Sequence, residues 1–385
     1  MTRRPSAAPR VMHVIVPQRE GAIGGADLHV LDLAAAQQRA GTYRPLILAP
    51  RAPRDYLQRL HGAGLEVVSP GLLRADHYAR LPRQHEIALI HTHGYEANYL
   101  VAVMRTVCRH WRLLPLVVTA HGWIETTLRL RLQSRLDRYC GRVAQVRITS
   151  ASRHARSLHA DRSVVMVVHN GVSTPAAERL EALQADRRAI RESLGVPPQA
   201  TIIGSVGRLS PEKRVDLLLA AAHRLVPKHP NMHVLIVGGG DQRTELETLA
   251  ERLCPGGRVT FAGLVRDVTP ALIAMDVLVQ PSDTEGTPRS VLEAMAHCLP
   301  VVATDVGDVA ELLDRGRCGE LAPPGDARLL ADAIERLLVD PVRARNLMGC
   351  ARLRYKDRYT IEAMRRRVEE GYQVALLACT EGHQP

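Results

Sequence analysis

Four charged residues in the second half of the sequence have the types and the spacing to bind a phosphorylated sugar. Arg208 and Lys213 lie between an apolar run and a helical pattern. There an arginine can donate two parallel N–H groups to phosphate, and a lysine acts as a point charge. Glu285 and Glu293 would repel a phosphate, so we expect their carboxylates to accept hydrogen bonds from sugar hydroxyls. The set therefore predicts a site for a nucleotide or a nucleotide-sugar.

The two acidic residues belong to a strand–loop–helix segment. The apolar run Val277–Gln280 predicts a strand, and the polar loop after it carries Glu285. A helix is expected to begin near Pro288, where proline is tolerated because its missing N–H would be unpaired anyway. The first N–H groups of a helix lack partners inside it and the helix dipole makes that end positive, so this start favours an anion.

A hydrolytic carboxylate pair is the alternative interpretation of Glu285 and Glu293. If both residues were helical, their eight-residue separation would place them roughly 12 Å apart at about 1.5 Å per residue. Glycosidase pairs are about 5 to 9.5 Å apart. The spacing argues against hydrolysis, although a loop could bring the two closer.

The composition indicates a globular protein of two domains. A length of 385 residues favours two domains over one. No run approaches the roughly 20 apolar residues that span a bilayer, and residues 1–10 lack the apolar core of a secretory signal. The seven cysteines are scattered, without a Cys-x-x-Cys pair. We therefore expect reduced thiols, no disulfide framework, no zinc site and a cytoplasmic protein.

The net positive charge of the chain lies in its first part. Residues 1–175 contain 24 arginines and 11 acidic residues (+13), whereas the remainder contains 27 basic and 29 acidic residues (−2). Such a basic half suggests anionic lipid, nucleic acid or a phosphorylated acceptor, or reflects an arginine-rich genome. Nucleic acid is disfavoured, because no binding motif is present and aromatic residues make up 3% of the chain.

One helical pattern in the basic half is amphipathic. Thr126–Cys140 places leucines on one side and arginines on another. This predicts either peripheral contact with an anionic membrane or a core-facing helix with a solvated basic face. Both interpretations stay open at this point.

Alternating strand and helix patterns predict an α/β fold with two mainly parallel sheets. We expect domains at residues 1–175 and 176–360, separated by a polar segment from Ser173 to Ala185, and a last segment, 361–385, that crosses back to the first domain. One helix is expected over Glu96–Trp111. Ligand sites of such folds lie beyond the carboxyl ends of the strands. The candidates at those ends in the first half are Gly24, His93, His121 and Asn170.

His91 and His93 could suggest a metal site, but no carboxylate or third histidine is spaced to complete one. No Asp-x-Asp motif is present either, so we expect no metal and no other cofactor.

The segments Gly207–Asp216 and Glu285–Glu311 resemble the retaining glycosyltransferases of family 4, which have the GT-B fold. The Glu-x7-Glu motif of that family is met by Glu285 and Glu293. Weaker matches cover the first half. They are Gly24-Gly25-Ala26 with Leu33-Ala34, His121-Gly122, and Asn170-Gly171-Val172.

The resemblance implies two Rossmann-like domains facing across a cleft, with a nucleotide-diphosphate sugar as co-substrate. Arg208 and Lys213 would bind the donor diphosphate, Glu285 the transferred sugar and Glu293 the ribose. His121 would contact the sugar near the reacting carbon, and Gly24 and Gly25 would let the first domain approach the donor. The implied catalytic residues are Glu285, His121, Arg208 and Lys213. The implied substrate-binding residues are Gly24, Gly25, Arg208, Lys213, Glu285, Gly286, Thr287, Pro288, Arg289, Ser290 and Glu293.

The sequence departs from the family pattern at four positions. Cys298 stands where glycine is usual, and His169 replaces a common proline before Asn-Gly. Asp308 replaces a frequent second glycine, and Thr287 replaces a larger apolar residue. The last two lie near the expected donor. They therefore leave the identity of the transferred sugar undetermined, but do not change the expected type of reaction.

The expected activity is transfer of a hexose from a nucleotide-diphosphate donor, such as a UDP-sugar, to a hydroxyl with retention of configuration. The acceptor would be a glycan, a lipid-linked molecule or a small molecule, in glycolipid, lipopolysaccharide or other cell-envelope polysaccharide synthesis. A sugar-nucleotide epimerase or a phosphorylase of the same fold is the enzymatic alternative. A catalytically silent nucleotide-sugar-binding protein is the alternative from another class.

Overall fold

The chain forms two compact units, each with its own sheet. The structure, a computed structural model, describes residues 8–17, 24–71, 75–120, 128–150, 155, 158, 163–174 and 177–381. Unit 1 comprises Met1–Gly171 together with Ile361–Pro385, and unit 2 comprises Val172–Thr360. The last helix of the chain thus belongs to the first unit.

The described part of unit 1 holds a sheet of seven parallel strands in the order β3-β2-β1-β4-β5-β6-β7. The strands are β1 (Arg10–Ile15), β2 (Arg44–Leu48), β3 (Glu66–Val68), β4 (Ile87–His93), β5 (Leu116–Ala120), β6 (Val146–Thr149) and β7 (Val164–Val167). The helices are α1 (Gly25–Ala40), α2 (Arg54–Gly62), α3 (Ala75–Gln84), α4 (Tyr95–Val107), α5 (Arg109–Leu113) and α6 (Leu128–Cys140), with a 3-10 turn at Gly141–Val143.

Most strands of unit 1 are apolar runs because helices cover the sheet and leave little of it in water. The C-terminal helix, Ile361–Glu381, covers part of it. Its Val368 and Tyr372 are fully buried in one cluster with Val117 and Val146 of the sheet. This burial places the C-terminal helix in the core of unit 1, although the chain forms unit 2 before reaching it.

The described part of unit 2 holds six parallel strands in the order β10-β9-β8-β11-β12-β13. The strands are β8 (Thr201–Val206), β9 (Met232–Val237), β10 (Val259–Gly263), β11 (Val277–Gln280), β12 (Val301–Thr304) and β13 (Glu320–Ala322). The helices are α7 (Ala177–Ala185), α8 (Arg187–Ser193), α9 (Val215–Leu225), α10 (Arg243–Leu253), α11 (Thr269–Ala274), α12 (Arg289–Ala296), α13 (Val309–Leu312), α14 (Ala327–Val339) and α15 (Pro341–Arg358), with 3-10 turns at Pro211–Lys213 and Asp314–Gly316. The C-terminal helix of unit 1 is α16.

Each sheet reverses its strand order once, between β1 and β4 in unit 1 and between β8 and β11 in unit 2. At such a point the loops leave neighbouring strands in opposite directions and open a crevice beyond the carboxyl ends. The two reversals therefore mark where each unit can bind a ligand.

One prediction of local structure is wrong, and one polar segment contains a helix for which no bounds were predicted. The helix expected over Glu96–Trp111 is broken at Cys108, which is extended with φ −122°. The break turns α5 so that Trp111 is fully buried and donates its indole N–H to the Tyr78 carbonyl at 2.9 Å. The polar segment Ser173–Ala185 contains helix α7, whose surface is too polar to give an apolar periodicity.

The prediction that all seven cysteines are reduced is wrong for one pair. Cys318 and Cys350 form a disulfide, with their Cα atoms 5.0 Å apart. The two residues are 32 positions apart in sequence. Folding brings them together because α15 packs over the segment that leads into β13, a proximity that the spacing of cysteines does not reveal.

Cys298 adopts the backbone conformation that glycine prefers. It follows α12 with φ +54° and is exposed, and the N–H of Leu299 bonds back to the Ala294 carbonyl at 2.9 Å. A side chain in this conformation costs about 1–2 kcal/mol. Replacing Cys298 by glycine is therefore expected to raise the free energy of unfolding of unit 2 by about 1 kcal/mol, measured by urea denaturation. Cys298→Ala, which keeps the Cβ atom, is the control; equal stability of the two variants would contradict this account.

In the described ranges, no helix is both long enough and apolar enough to cross a membrane.

Candidate functional site

Lys213 and Glu285 meet at the strand-order reversal of unit 2. Lys213 ends the 3-10 turn after β8, and Glu285 lies in the loop after β11, the adjacent strand. The Lys213 Nζ atom lies 2.8 Å from Glu285 Oε1 and 2.9 Å from Oε2. The side chain of Glu285 is 6% exposed and that of Lys213 is 24% exposed. The structure thus brings together two of the residues that the sequence singled out.

Arg208 lies beside this ion pair. A recess at the end of β8 is lined by Gly207, Arg208, Lys213 and Gln280. Arg208 is exposed and makes no hydrogen bond or ion pair with another residue of the described ranges. Its guanidinium can therefore accept an anion without first breaking an internal contact.

A buried hydrogen-bond chain holds the Glu285 carboxylate. Gln280 Nε2 and the Ser282 hydroxyl both donate to Glu285 Oε1, each at 2.6 Å. The Ser290 hydroxyl donates to Gln280 Oε1 at 2.7 Å. This last bond orients the Gln280 amide, because an amide oxygen that accepts from Ser290 leaves the nitrogen to donate to Glu285. Gln280 and Ser282 were missed from sequence, where Gln280 is the last residue of an apolar strand.

Replacing Gln280 by leucine is expected to lower kcat for the sugar transfer that the sequence predicts about 10- to 100-fold, with a smaller change in the KM for the predicted donor. The reason is that Glu285 would lose a donor and its fixed orientation, which matters most when charge develops in the transition state. Steady-state kinetics check this. Thr304→Val is the matched control, because the Thr304 hydroxyl donates to the Ser282 carbonyl at 2.5 Å and not to Glu285. An equal fall of kcat in both variants would show that Gln280 supports the structure and does not act by orienting Glu285.

A second set of contacts fixes the loop of Lys213 against the loop of Glu285. The Asp283 N–H donates to the Glu212 carbonyl at 2.9 Å, and Arg214 Nη1 lies 2.9 Å from Asp283 Oδ1. Arg214 also pairs with Asp216 at 3.1 Å. Arg214 thus bridges the two loops on either side of the strand-order reversal.

Gly307 allows the loop after β12 to pack closely against the backbone of Glu285. Its φ is +60°, and a Cβ atom there would lie 1.9 Å from the Glu285 carbonyl oxygen. The next residue, Asp308, donates its N–H to the Gly286 carbonyl at 3.3 Å. The backbone around Glu285 is therefore fitted closely against the loop after β12.

Glu293 is also ion-paired, but with a different cation. Arg289 Nε lies 2.8 Å from Glu293 Oε1, and the two side chains are one turn apart on α12. Thr287 and Ser290 are buried, and Pro288 precedes the first residue of α12. Because Glu285 lies in a loop and Glu293 on a helix, the two acids do not share one helix.

In unit 1, Gly25 begins α1 and Gly24 is the N-cap residue before it. The Gly24 N–H donates to the Asp27 carboxylate at 2.8 Å, so this group already has an acceptor. Burial raises the pKa of Asp27, and the bond from Gly24 partly opposes that rise. A Cβ atom on Gly25 would meet nothing within 4 Å. His121 and Gly122 lie outside the described residues, and the roles expected of His121, Gly24 and Gly25 stay predictions.

Three buried histidines lie together at the strand-order reversal of unit 1, and the expectation that His91 and His93 lack a third partner is wrong. His13 of β1 joins them, and each can offer a ring nitrogen within 4.8 Å of the others. Both ring nitrogens of His13, both of His91 and Nε2 of His93 are engaged, however. His13 bonds to Gln37 at 2.9 Å and to His93 at 3.1 Å, and His91 bonds to Tyr372 and Thr119, each at 2.7 Å. These contacts account for the cluster as a hydrogen-bonded network of imidazoles.

The network predicts a loss of stability in acid. Burial lowers the pKa of His13 from 6.5 to about 4. Between those values the unfolded chain binds a proton that the folded chain does not, so stability falls as pH drops from 6.5 to 4, by roughly 3 kcal/mol. His13→Gln is expected to flatten this dependence in urea unfolding of unit 1, whereas His61→Gln, at an exposed position of α2, is not. Equal slopes in the two variants would contradict the assignment.

Known proteins match both parts of the chain. The family model "Glycosyltransferase Family 4" matches residues 23–175, and "Glycosyl transferases group 1" matches residues 186–354. D-inositol 3-phosphate glycosyltransferase 2 of Catenulispora acidiphila is 36% identical over 204 residues, 50% of this chain and 47% of the relative. D-inositol 3-phosphate glycosyltransferase of Rhodococcus opacus is 28% identical over 314 residues, 77% of this chain and 69% of the relative. The match thus spans about half the length of the first relative.

The structure of Anabaena HepE in complex with UDP and glucose has a TM-score of 0.78 and 22% identity to this chain, and covers 94% of this chain and 99% of that one. Two parallel-sheet α/β units with this similarity define a protein of the GT-B fold, as the sequence predicted. Since the two family models together match most of the residues, the chain belongs to the family 4 glycosyltransferases.

Proposed function

We propose that this protein is a retaining glycosyltransferase that moves a hexose from a nucleotide-diphosphate donor to a hydroxyl acceptor. The observation that carries the proposal is the Lys213–Glu285 pair at the strand-order reversal of unit 2, with the exposed guanidinium of Arg208 beside it. The pair places a cation for a diphosphate and a carboxylate for a sugar side by side at the carboxyl ends of β8 and β11.

The chemistry follows from the charges. As the glycosidic bond of the donor breaks, negative charge grows on the departing diphosphate, and Arg208, Lys213 and the start of α12 stabilise it. In the donor-free chain the ammonium of Lys213 neutralises Glu285. A bound diphosphate would attract that ammonium and let Glu285 accept hydrogen bonds from the transferred sugar, while Glu293 accepts them from the ribose.

Retention is proposed to occur by attack on the face that the diphosphate leaves, with a donor phosphate oxygen taking the proton of the acceptor hydroxyl. Fixed cations at the diphosphate support a reaction without a metal or other cofactor. HepE, named with UDP and glucose, supports a UDP-sugar donor. The acceptor is proposed to be a hydroxyl of a glycan, a lipid-linked molecule or a small molecule, in lipopolysaccharide or other cell-envelope polysaccharide synthesis.

Transfer from a panel of UDP-, GDP- and ADP-sugars to hydroxyl acceptors tests the proposal, with the anomeric configuration of the product read by NMR. We expect turnover of one donor class with the configuration of the donor preserved. Inversion would reject the retaining mechanism. Conversion of the donor sugar without an acceptor would indicate an epimerase, and donor binding without turnover would indicate a binding protein.

Peripheral contact with an anionic membrane is the proposed localisation, at the cytoplasmic face. Leu136 and Tyr139 of α6 are 51% and 67% exposed, and Val143 after it is 53% exposed. Arg135 and Arg142 are exposed beside them. Apolar side chains flanked by arginines match a surface that inserts between anionic headgroups.

Sedimentation with phosphatidylglycerol vesicles at low and high salt tests the membrane contact. Leu136→Ser/Tyr139→Ser is expected to reduce binding several-fold. The control is Val342→Ser/Leu353→Ser on α15 of unit 2, where the side chains are 57% and 71% exposed. The proposed membrane contact would be contradicted if the protein did not bind at low salt, or if both variants bound equally.

A further inference from the structure

A recess in unit 1, away from the strand-order reversal, gathers basic side chains between α3 and α5. It measures about 570 Å³. Its lining comprises Ala79, Arg80, Arg83, Gln84, Cys108, Arg109 and His110. Three guanidiniums and one imidazole thus face one concavity, and no carboxylate is among the lining residues.

Buried contacts hold together the two helices that carry this basic recess. Trp111 of α5 and Tyr78 of α3 are both almost fully buried, and the Trp111 indole N–H donates to the Tyr78 carbonyl at 2.9 Å. Arg105 Nη1 donates to the carbonyls of Trp111 at 2.9 Å and Leu114 at 2.7 Å, which fixes the turn from α4 into α5. The relative placement of the two helices that carry the basic residues is therefore set before any ligand arrives.

The charges of the recess are not balanced internally. Arg80 and Arg109 are exposed and form no ion pair within the described ranges. Arg83 Nε donates to His110 Nε2 at 2.5 Å, so that imidazole accepts a hydrogen bond and carries its own proton on Nδ1. Neighbouring arginines, by contrast, turn their guanidiniums inward: Arg112 bonds to the Arg105 and Thr106 carbonyls at 3.0 and 2.8 Å.

Like charges around one concavity repel each other unless an anion lies between them. Arginine is the residue best suited to phosphate, because its planar fork matches two phosphate oxygens. A volume near 570 Å³ is in the range of small-molecule sites. We propose that the basic recess between α3 and α5 binds a phosphate group, carried either by a soluble phosphate compound or by a phospholipid headgroup. This site is separate from the proposed donor site and does not depend on it.

The test compares Arg80→Gln/Arg109→Gln with Arg39→Gln, an exposed position in the last turn of α1. All proteins carry Lys213→Ala/Arg208→Ala, so that phosphate bound at the proposed donor site does not contribute. Binding of inorganic phosphate is followed by calorimetry at low and high salt, and cosedimentation with phosphatidylglycerol vesicles and phosphatidylcholine vesicles is measured in parallel. Melting curves establish that each variant is folded.

We expect the recess variant to bind phosphate about tenfold more weakly than the Arg39 control, with the difference shrinking at high salt. Loss of phosphatidylglycerol binding in the recess variant, without binding of inorganic phosphate by any protein, would assign the site to a lipid headgroup and support the proposal. Equal behaviour of the recess variant and the control toward both probes would overturn it, as would the absence of binding of either probe. Neither result depends on whether the chain transfers sugar.

Discussion

Lys213→Ala is expected to lower kcat/KM for sugar transfer about 10²- to 10³-fold. Lys213 supplies the cation nearest to Glu285, at 2.8 and 2.9 Å. Without it, the diphosphate of the proposed donor would lose a fixed positive charge as it departs, and a carboxylate that is 6% exposed would be left without its ammonium partner. Transfer kinetics with the preferred donor measure the loss.

The chain supplies a matched control in Lys228, which pairs with Glu335 at 2.9 Å on the surface of the same unit, with a side chain 63% exposed. Lys228→Ala removes the same kind of ion pair and is expected to leave transfer unchanged. Because removing one partner of a buried ion pair costs about 3–5 kcal/mol, Lys213→Ala is also expected to melt at a lower temperature. The double variant Lys213→Ala/Glu285→Gln also removes the negative charge at position 285. It should therefore melt at a higher temperature than Lys213→Ala and remain inactive. Rates for Lys213→Ala within about threefold of Lys228→Ala would reject the proposed donor site.

Gly307→Ala is expected to abolish most transfer activity through the backbone alone. The added Cβ would lie 1.9 Å from the Glu285 carbonyl oxygen, which no real Cβ atom tolerates, so the loop of Glu285 must move. A displacement of about 1 Å at a reacting group can cost about 100-fold in rate. Steady-state kinetics and a melting curve of unit 2 check the effect.

Gly325→Ala is the control that distinguishes displacement of the Glu285 loop from the backbone strain of an alanine with positive φ. Gly325 also has a positive φ, +77°, but a Cβ there meets nothing within 4 Å. Both substitutions put an alanine into the left-handed region, at a cost of about 1–2 kcal/mol. We expect Gly325→Ala to lose stability and keep its rate, whereas Gly307→Ala loses both. Similar kinetics in the two variants would show that the contact with Glu285 is unimportant.

The sequence was sufficient for the elements that have strong local signals. Strand Val277–Gln280 has the predicted bounds, because it is an apolar run. The two-domain α/β architecture is confirmed for the same reason. Strand β13 was missed: it has three residues, and its Glu320 is buried only because Arg336 and Arg343 pair with it at 2.8 and 2.5 Å.

The sequence predicted those site residues that are charged and belong to a recognisable motif. It did not predict residues whose role depends on contacts with partners far away in the sequence. Lys213 and Glu285 were singled out, and their ion pair spans 72 positions of sequence. Gln280 and His13 look like ordinary strand residues until the fold places Gln280 at Glu285 and His13 at His93. The disulfide of Cys318 was likewise hidden. The substrate roles of the predicted residues stay predictions until donors are assayed.

The place of α16 in unit 1 determines the order in which the chain can fold during synthesis. Unit 2 occupies an uninterrupted stretch, and its two ends lie side by side, with the Val172 N–H donating to the Tyr359 carbonyl at 3.0 Å. It can therefore close as soon as it leaves the ribosome. Unit 1 must wait with the sheet surface around Val117 and Val146 uncovered until Tyr372 has been translated, and at about 5–20 residues per second that delay lasts roughly 10 to 40 seconds. A nascent-chain chaperone would find its apolar target in the first half of this protein, even though that half is made first.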